Sequence, residues 1–470
     1  MLASDVFHSG ANVETLLFGS LLLVGSSDVR LAAIAAAVTV ALSATLGRRW
    51  LAVGFERETA RGLGVRAVLV DGALLALVAF AVVASLSAVG ALLVAALYVV
   101  PAATTRLWFR RLVTWQLASV ALAAAEGVIG LWLSVELNAP PGPAIAVLAG
   151  GAFVAAALAR LGRARVVVAL AGAALLTGCG TSAAGGGGGL DVVATTTQLA
   201  DWARAVGGPD ASVHQILQPN TDPHEYEPRP KDVEATAGAT IVLESGDELD
   251  HWMGKVVSQA GGHPRVVDVG RLVPVRLRGE SSGPEASRFD PHWWHDLRNA
   301  EDAVIAIRDT FIFADRAHGA AYASRARAYL AKLHALDRRL ASCFARLPSS
   351  ERKLVTDHDA FGYFAHRYHL RIVGAVIPSQ TTQAQPSAGE TARLVALIRR
   401  EHVRAVFPES SLNRRLADTI ARETGASSTY TLYGDTLGPV GSAGATYLGM
   451  ERANADAIVR GLSGGRLWCG

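Results

Sequence analysis

The sequence predicts a chain in two parts: transmembrane helices first, then an α/β domain. Three observations carry this. Composition changes abruptly near residue 178; the first part holds long uncharged runs of Ala, Leu and Val; and the second alternates short β-rich runs with helical stretches. At 470 residues the chain also exceeds what one hydrophobic core usually serves, so more than one domain is expected on length alone. The formal net charge of +3 is small and forms no basic stripe, which excludes nucleic acid as a partner class. Lys231, Lys255, Lys332 and Lys353 are the only lysines, and none sits in a G-x-x-x-x-G-K-[ST] phosphate loop, so an ATPase is expected on a separate chain.

The apolar runs long enough to approach the ~20 residues of a spanning helix are Leu31 to Leu46, Ala67 to Pro101, Val113 to Val135, and Ala144 to Ala159. The second is too long for one span and is expected to fold as two helices around Ser85 to Gly90, which makes five spans. Arginines then test the orientation. Arg48, Arg49, Arg57, Arg61 and Arg66 fall in one loop, Arg106, Arg110 and Arg111 in the next but one, and Arg160, Arg163 and Arg165 two spans later. By the positive-inside rule these loops are cytoplasmic, while the loop Glu136 to Pro143, which has no basic residue, is external. Asp71 and Glu126 lie inside spans, where an ionisable group is a functional candidate, though a buried partner or an interfacial depth explains them equally well.

A basic start at Arg160 to Arg165, an apolar run Val166 to Leu176 and the exit Thr177-Gly178-Cys179 together have the layout of a secretory signal in mid-chain. Leu176-Thr177-Gly178-Cys179 resembles a bacterial lipobox, which makes Cys179 a lipidation candidate; the alternative is a sixth short span ending in Cys. Either way the residues after Cys179 lie outside the cytoplasm, and Gly185 to Gly189 form a flexible tether. The expected domains are therefore 1–164, membrane helices; 165–189, signal-like segment and linker; and 190–470, the α/β domain.

In that last domain the β-rich runs are Val192 to Thr195, Val213 to Leu217, Thr240 to Leu243, Val266 to Val269, Leu354 to Thr356, Ile372 to Ile377, Ala405 to Phe407, and Thr429 to Tyr433. Their alternation with helical stretches argues for parallel sheets. Between the two groups of strands, Ala320 to Leu347 reads as one long helix joining two lobes. Of the three cysteines, Cys343 and Cys469 are left either as a disulfide or as two free thiols.

Four polar positions stand at or just beyond the carboxyl ends of apolar runs or in Pro-marked loops: His224, His292, His358 and Asp435. Ligands of open α/β sheets bind outside the strands' carboxyl ends, and three imidazoles with one carboxylate complete a tetrahedral set for Zn²⁺. No pair has a local H-x-x-H spacing, so a lone surface or core His competes with this reading at each position.

The segment Asp191 to Gly461 resembles the substrate-binding lipoproteins of zinc and manganese ABC importers. The matching motifs are Asp-Pro-His-Glu-Tyr-Glu-Pro at 222–228, Asp-Pro-His-Trp-Trp at 290–294, Val-Thr-Asp-His-Asp-Ala-Phe-Gly-Tyr-Phe at 355–364, Val-Phe-Pro-Glu-Ser at 406–410, and Leu-Tyr-Gly-Asp-Thr-Leu-Gly at 432–438. The resemblance implies a periplasmic-binding-protein-like fold of two α/β lobes joined by one long helix. It also implies a metal bound by His224, His292, His358 and Asp435, with Glu409 as the spare carboxylate that supports the site or the hinge. The loop Leu277 to Phe289 has no His, unlike the His-rich loop of many zinc-specific members, so manganese remains an alternative cargo.

The first part resembles the latter portion of the matching permeases, through Phe18 to Leu23, Phe55 to Gly64, Ala88 to Leu97 with Pro101 to Thr104, and Pro140 to Pro143. The Phe55 to Gly64 piece implies a cytoplasmic loop on which the ATPase docks. The leading helices of such permeases have no counterpart; they belong to another permease chain, or the start is misassigned, or the permease is a remnant. The expected function is extracytoplasmic capture of Zn²⁺ and its delivery to the permease in the plasma membrane. A surface adhesin on the same fold fits poorly with an attached permease, and a zinc hydrolase would leave one coordination position open for water. Cation release is expected as pH falls through the ordinary imidazole range near ~6.5.

Overall fold

Long runs rich in Ala, Leu and Val make the N-terminal helices α1 (Ser26–Phe55), α3 (Ala67–Val89), α4 (Ala91–Arg106), α5 (Leu112–Leu137) and α6 (Pro141–Arg160), and the short polar α2 (Arg57–Gly62) follows α1. The computed structural model describes residue 21 and residues 24–62, 64–160, 189–281, 286–384 and 386–469, which divide into two compact units, one helical and one α/β. Cys179, the lipobox-like run and most of the glycine linker lie outside the described residues.

The long run Ala67 to Pro101 does break into two helices, at Gly90, whose φ of 74° is a conformation glycine adopts without steric cost. Four of the five long helices are long and apolar enough to cross a bilayer; α4 is not. Its 16 residues rise about 24 Å, short of a ~30 Å hydrocarbon core, because Gly90 fixes its start and Arg106 ends it. Among the described residues, four of the five expected spans are thus long enough to cross a bilayer, and α4 is a shorter apolar helix. Gly130 of α5 packs so closely on Ile145 of α6 that a Cβ there would meet the Ile145 backbone. Asp71 pairs with Arg57 at 2.7 Å, whereas Glu126 is buried with no hydrogen-bond partner among the described residues.

In the α/β unit the first lobe is a four-stranded parallel sheet in the order β2-β1-β3-β4, formed by β1 (Leu190–Ala194), β2 (Ala211–Gln215), β3 (Ile241–Glu244) and β4 (Arg265–Asp268). Val192 lies beside both Val213 and Ile241 in register. Helix α7 (Thr197–Gly207) follows β1, capped by Thr196, whose hydroxyl accepts from Leu199 N. It buries Leu199, Trp202, Ala203 and Val206 against α10 (Leu297–Ala314) in the first hydrophobic core; α8 (Pro230–Gly238) and α9 (Met253–Ala260) come between them in the chain.

The expected strut is α11 (Gly319–Ala345), 27 residues or roughly 40 Å long. Its amino-terminal half puts Tyr322, Ala326, Tyr329 and Leu333 into the first core. Its carboxyl-terminal half puts Leu336, Leu340, Cys343 and Phe344 into a second, with Phe361, Phe364 and Phe407. The second lobe contains parallel β5 (Lys353–His358) and β6 (Arg371–Ile377), with α12 (Gly362–Tyr368), α13 (Ala388–Glu401), α14 (Arg415–Thr424) and α15 (Tyr447–Ser463). The runs at Ala405 and Thr429 form only isolated bridges, Thr356 with Phe407, Ala405 with Ser427, and Glu409 with Leu432. Pro408 interrupts the first run, since it cannot donate to a ladder. Cys343 and Cys469 form a disulfide that closes a loop of 126 residues around this lobe.

Candidate metal centre

Two Asp-Pro-His turns build half of the site by the same device. Asp222 Oδ1 accepts from His224 N and Asp290 Oδ1 from His292 N, each at 3.0 Å, around a proline that fixes φ and has no N–H of its own. His224 sits in the 3-10 turn Pro223–Glu225 beyond β2, and His292 just before the turn Trp293–His295. From the second lobe, His358 is the last residue of β5 and Asp435 follows the Glu409–Leu432 bridge. The Asp435 loop is tied back to the first lobe: Gln198 Nε2 donates to Asp435 O at 2.9 Å, Leu437 N to Thr197 Oγ1 at 2.8 Å, and Trp294 Nε1 to Gly434 O at 3.1 Å.

The structure thereby brings His224, His292, His358 and Asp435 together, all buried, with one ligand atom from each within 4.8 Å of the others. His292 Nε2 and His358 Nε2 are 3.3 Å apart, and Asp435 carboxylate oxygens stand 3.4, 3.5 and 3.8 Å from the Nε2 atoms of His292, His358 and His224. A tetrahedron with metal–ligand bonds of ~2.0 Å has edges of about 3.3 Å, so this constellation is already near the size of a four-coordinate site.

Ring orientation follows from what lies behind each imidazole. Asp290 Oδ1 faces His292 Nδ1 and Glu409 Oε1 faces His358 Nδ1, both at 2.8 Å. An ionised carboxylate only accepts, so each Nδ1 carries the proton and, in the neutral ring, each Nε2 lone pair points into the site. Glu409 Oε1 also accepts from His358 N at 3.1 Å, while Asp357 Oδ2 accepts from Glu409 N at 3.1 Å. A Cβ on Gly434 would collide with Glu409 Oε2, so only glycine lets this carboxylate lie where it does.

Electrostatics match. Burial opposes charge on His292, but the hydrogen bonds and charges of Asp290 and Asp435 outweigh it, and its pKa is pushed up to about 9. His358, likewise desolvated, is raised well above its ordinary value by Glu409 and Asp435. Asp435 is held well below the carboxylate range: burial opposes its charge, but His358, His292 and His224 prevail. Without metal the site is built to hold positive charge.

Glu409 thus lies behind a candidate ligand, and Asp290 is the counterpart that sequence reasoning passed over. Its signal was present in the repetition of Asp-Pro-His at 222 and 290. Neither His263 nor His369 joins the cluster, the one group of side chains among the described residues that could hold a metal ion.

Comparison with known proteins agrees with this architecture in both parts. The family described as "Zinc-uptake complex component A periplasmic" (ZnuA) matches residues 192–461, and the "ABC 3 transport family" matches residues 1–160. The manganese-binding lipoprotein MntA of Bacillus subtilis is 33% identical over 294 residues, 61% of this chain and 95% of the relative. The zinc-binding protein TroA of Treponema pallidum is 30% identical over 277 residues, 58% of this chain and 88% of the relative. The iron-binding protein YfeA of Yersinia pestis is 30% identical over 275 residues, 58% of this chain and 86% of the relative. The solved structure of periplasmic zinc-binding TroA superposes with a TM-score of 0.54 at 31% identity, covering 59% of this chain and 99% of that one. These relatives are named as metal-binding proteins, not as enzymes, and their names divide among manganese, zinc and iron.

Proposed function

The chain belongs to the ZnuA family of metal-binding components of ABC importers and joins that domain to an ABC-3 permease-like one, and from this premise we propose that it captures Zn²⁺ outside the membrane and delivers it to the permease. The observation that carries the choice of metal is the donor set. Three imidazoles whose Nε2 atoms face one carboxylate suit zinc, while manganese lies at the weak end of the divalent order and favours oxygen donors. His224, His292, His358 and Asp435 are the proposed ligands, with Asp290 and Glu409 fixing the rings of His292 and His358. Neutral imidazoles and ionised Asp435 bind the cation, the lobes enclose it, and docking on the permease opens them. Manganese is the second reading, favoured by the name of the Bacillus subtilis relative.

The proposed domains are 1–164, membrane permease; 165–189, signal-like segment with Cys179 as lipidation site, and linker; and 190–470, metal capture. Alternating Arg loops support a position of the last of these outside the cytoplasm. The Cys343–Cys469 disulfide supports this, because such bonds persist in oxidising compartments. A separate ATPase and additional permease helices complete the importer. Metal analysis of the purified 190–470 fragment after exposure to equal Zn²⁺ and Mn²⁺ tests the choice of cargo: zinc should occupy the site, and a manganese-loaded fragment would reverse the assignment.

A further inference from the structure

Besides α11 and the bonds that tie the Asp435 loop to the first lobe, a further junction links the two lobes beside the site. Residues 277–281 run beside residues 286–290: Gly279 N donates to Arg288 O at 3.1 Å, Ser287 N to Glu280 O at 3.0 Å and Asp290 N to Leu277 O at 3.1 Å. This arm belongs to the first lobe, where Leu277 packs on the core and Arg276 pairs with Asp247 and covers the Phe289 ring at 3.6 Å. It reaches the segment of the second lobe that follows β6. There the Glu280 carboxylate accepts from Ser379 Oγ and from Gln380 N, both at 2.9 Å, while Glu280 N donates to Gln380 Oε1 at 3.2 Å.

Both sides of this junction run directly into the metal centre. The first-lobe arm ends at Asp290, which holds His292. On the other side Ser379 O accepts from Asp359 N, next to His358, at 3.0 Å, and Gln383 Nε2 donates to His224 O. The loops carrying three of the four candidate ligands therefore cannot separate while Glu280 stays bonded. Yet Glu280 touches none of those ligands in any described hydrogen bond. Two charge-assisted bonds across a junction that must part for the cation to leave stabilise the closed state selectively.

We propose that Glu280 is the latch of the lobes, a positioning residue that sets how long the captured cation is retained and does not contribute to the coordination itself. The proposal rests on the capture reading above. In a latch of this kind, breaking the bonds accelerates dissociation and leaves association nearly unchanged, because the cation enters when the junction is open.

The test is stopped-flow transfer of Zn²⁺ from the full-length chain in detergent micelles to an excess chelator, for wild type, Glu280→Ala, Glu280→Gln and Ser379→Ala. Release should quicken about tenfold in Glu280→Ala and less in Glu280→Gln and Ser379→Ala, with the association rate and the metal-free melting temperature unchanged. Release rates equal to wild type in both Glu280→Ala and Ser379→Ala would overturn the latch. So would a lowered metal-free melting temperature with proportionate loss of association, which marks a merely structural role. A wild type that takes up no Zn²⁺ would instead overturn the capture reading, and the latch with it.

Discussion

Raising the pH from about 6.5 to about 8 should tighten Zn²⁺ binding by the 190–470 fragment steadily, well above the window of an ordinary imidazole. The cause is competition for His292 Nε2. With the His292 pKa pushed up to about 9, roughly one metal-free molecule in a hundred has that nitrogen free at pH ~7, which lowers the apparent affinity about a hundredfold, or ~2.7 kcal/mol. Affinity should therefore change about tenfold per pH unit below ~9, and more steeply where His358, also raised, releases a second proton. The stability of the metal-free fold should move in the opposite direction. A histidine whose folded pKa is raised stabilises fully below its unfolded value near ~6.5, and that contribution is lost as pH rises through about 9. Chelator competition across the pH series measures the first effect, and calorimetry in buffers of different ionisation enthalpy counts the released protons. Affinity that stays flat between about pH 6.5 and about 8, with no proton released, would refute this account of a site that trades protons for metal.

Three other outcomes are expected. His224→Ala with His292→Ala should abolish tight Zn²⁺ binding in titration calorimetry, whereas His263→Ala and His369→Ala, outside the cluster, should leave it intact. Asp290→Asn and Glu409→Gln should each weaken binding ~10–100-fold without unfolding the domain, and Gly434→Ala should imitate the second by displacing Glu409, all read by the same titration. Replacing Cys343 and Cys469 by Ser opens a loop of 126 residues and should cost about 4–5 kcal/mol in denaturant unfolding, with little change in Zn²⁺ affinity because neither cysteine belongs to the donor cluster.

Much of the fold was legible because its elements announce themselves locally. Val192, Ile241 and Val266 lie in short β-branched runs, and Ala320 to Leu347 has few turn signals, so the sheet strands and the strut α11 fall close to where the sequence puts them. What the sequence could not show depends on neighbours distant in the chain. Whether Ala405 to Phe407 becomes a strand or a bridge turns on Pro408 and on pairing with Thr356 and Ser427. Whether the apolar run after Gly90 crosses a bilayer turns on a single backbone conformation that leaves α4 short. The disulfide likewise needed α11 and the carboxyl-terminal residues to be brought side by side, since 126 residues separate its sulfurs.

The site divides in the same way. Its donors sit in recognisable motifs, but the groups that decide what those donors do were only partly visible. Asp290 stands two residues before His292, where its backbone role in the Asp-Pro-His turn conceals its second role at His292 Nδ1. Glu409 reaches His358 from a segment 51 residues away, and only because Gly434 leaves room for it. Asp222 makes the same turn as Asp290 and bonds the His224 backbone, yet burial raises its pKa while His224 opposes the shift. A His-for-Glu exchange at a ligand position would be read at once in a sequence, but the proton inventory that tunes capture and release depends on these second carboxylates. Selectivity and pH dependence therefore belong to the packing around the four donors as much as to the donors themselves.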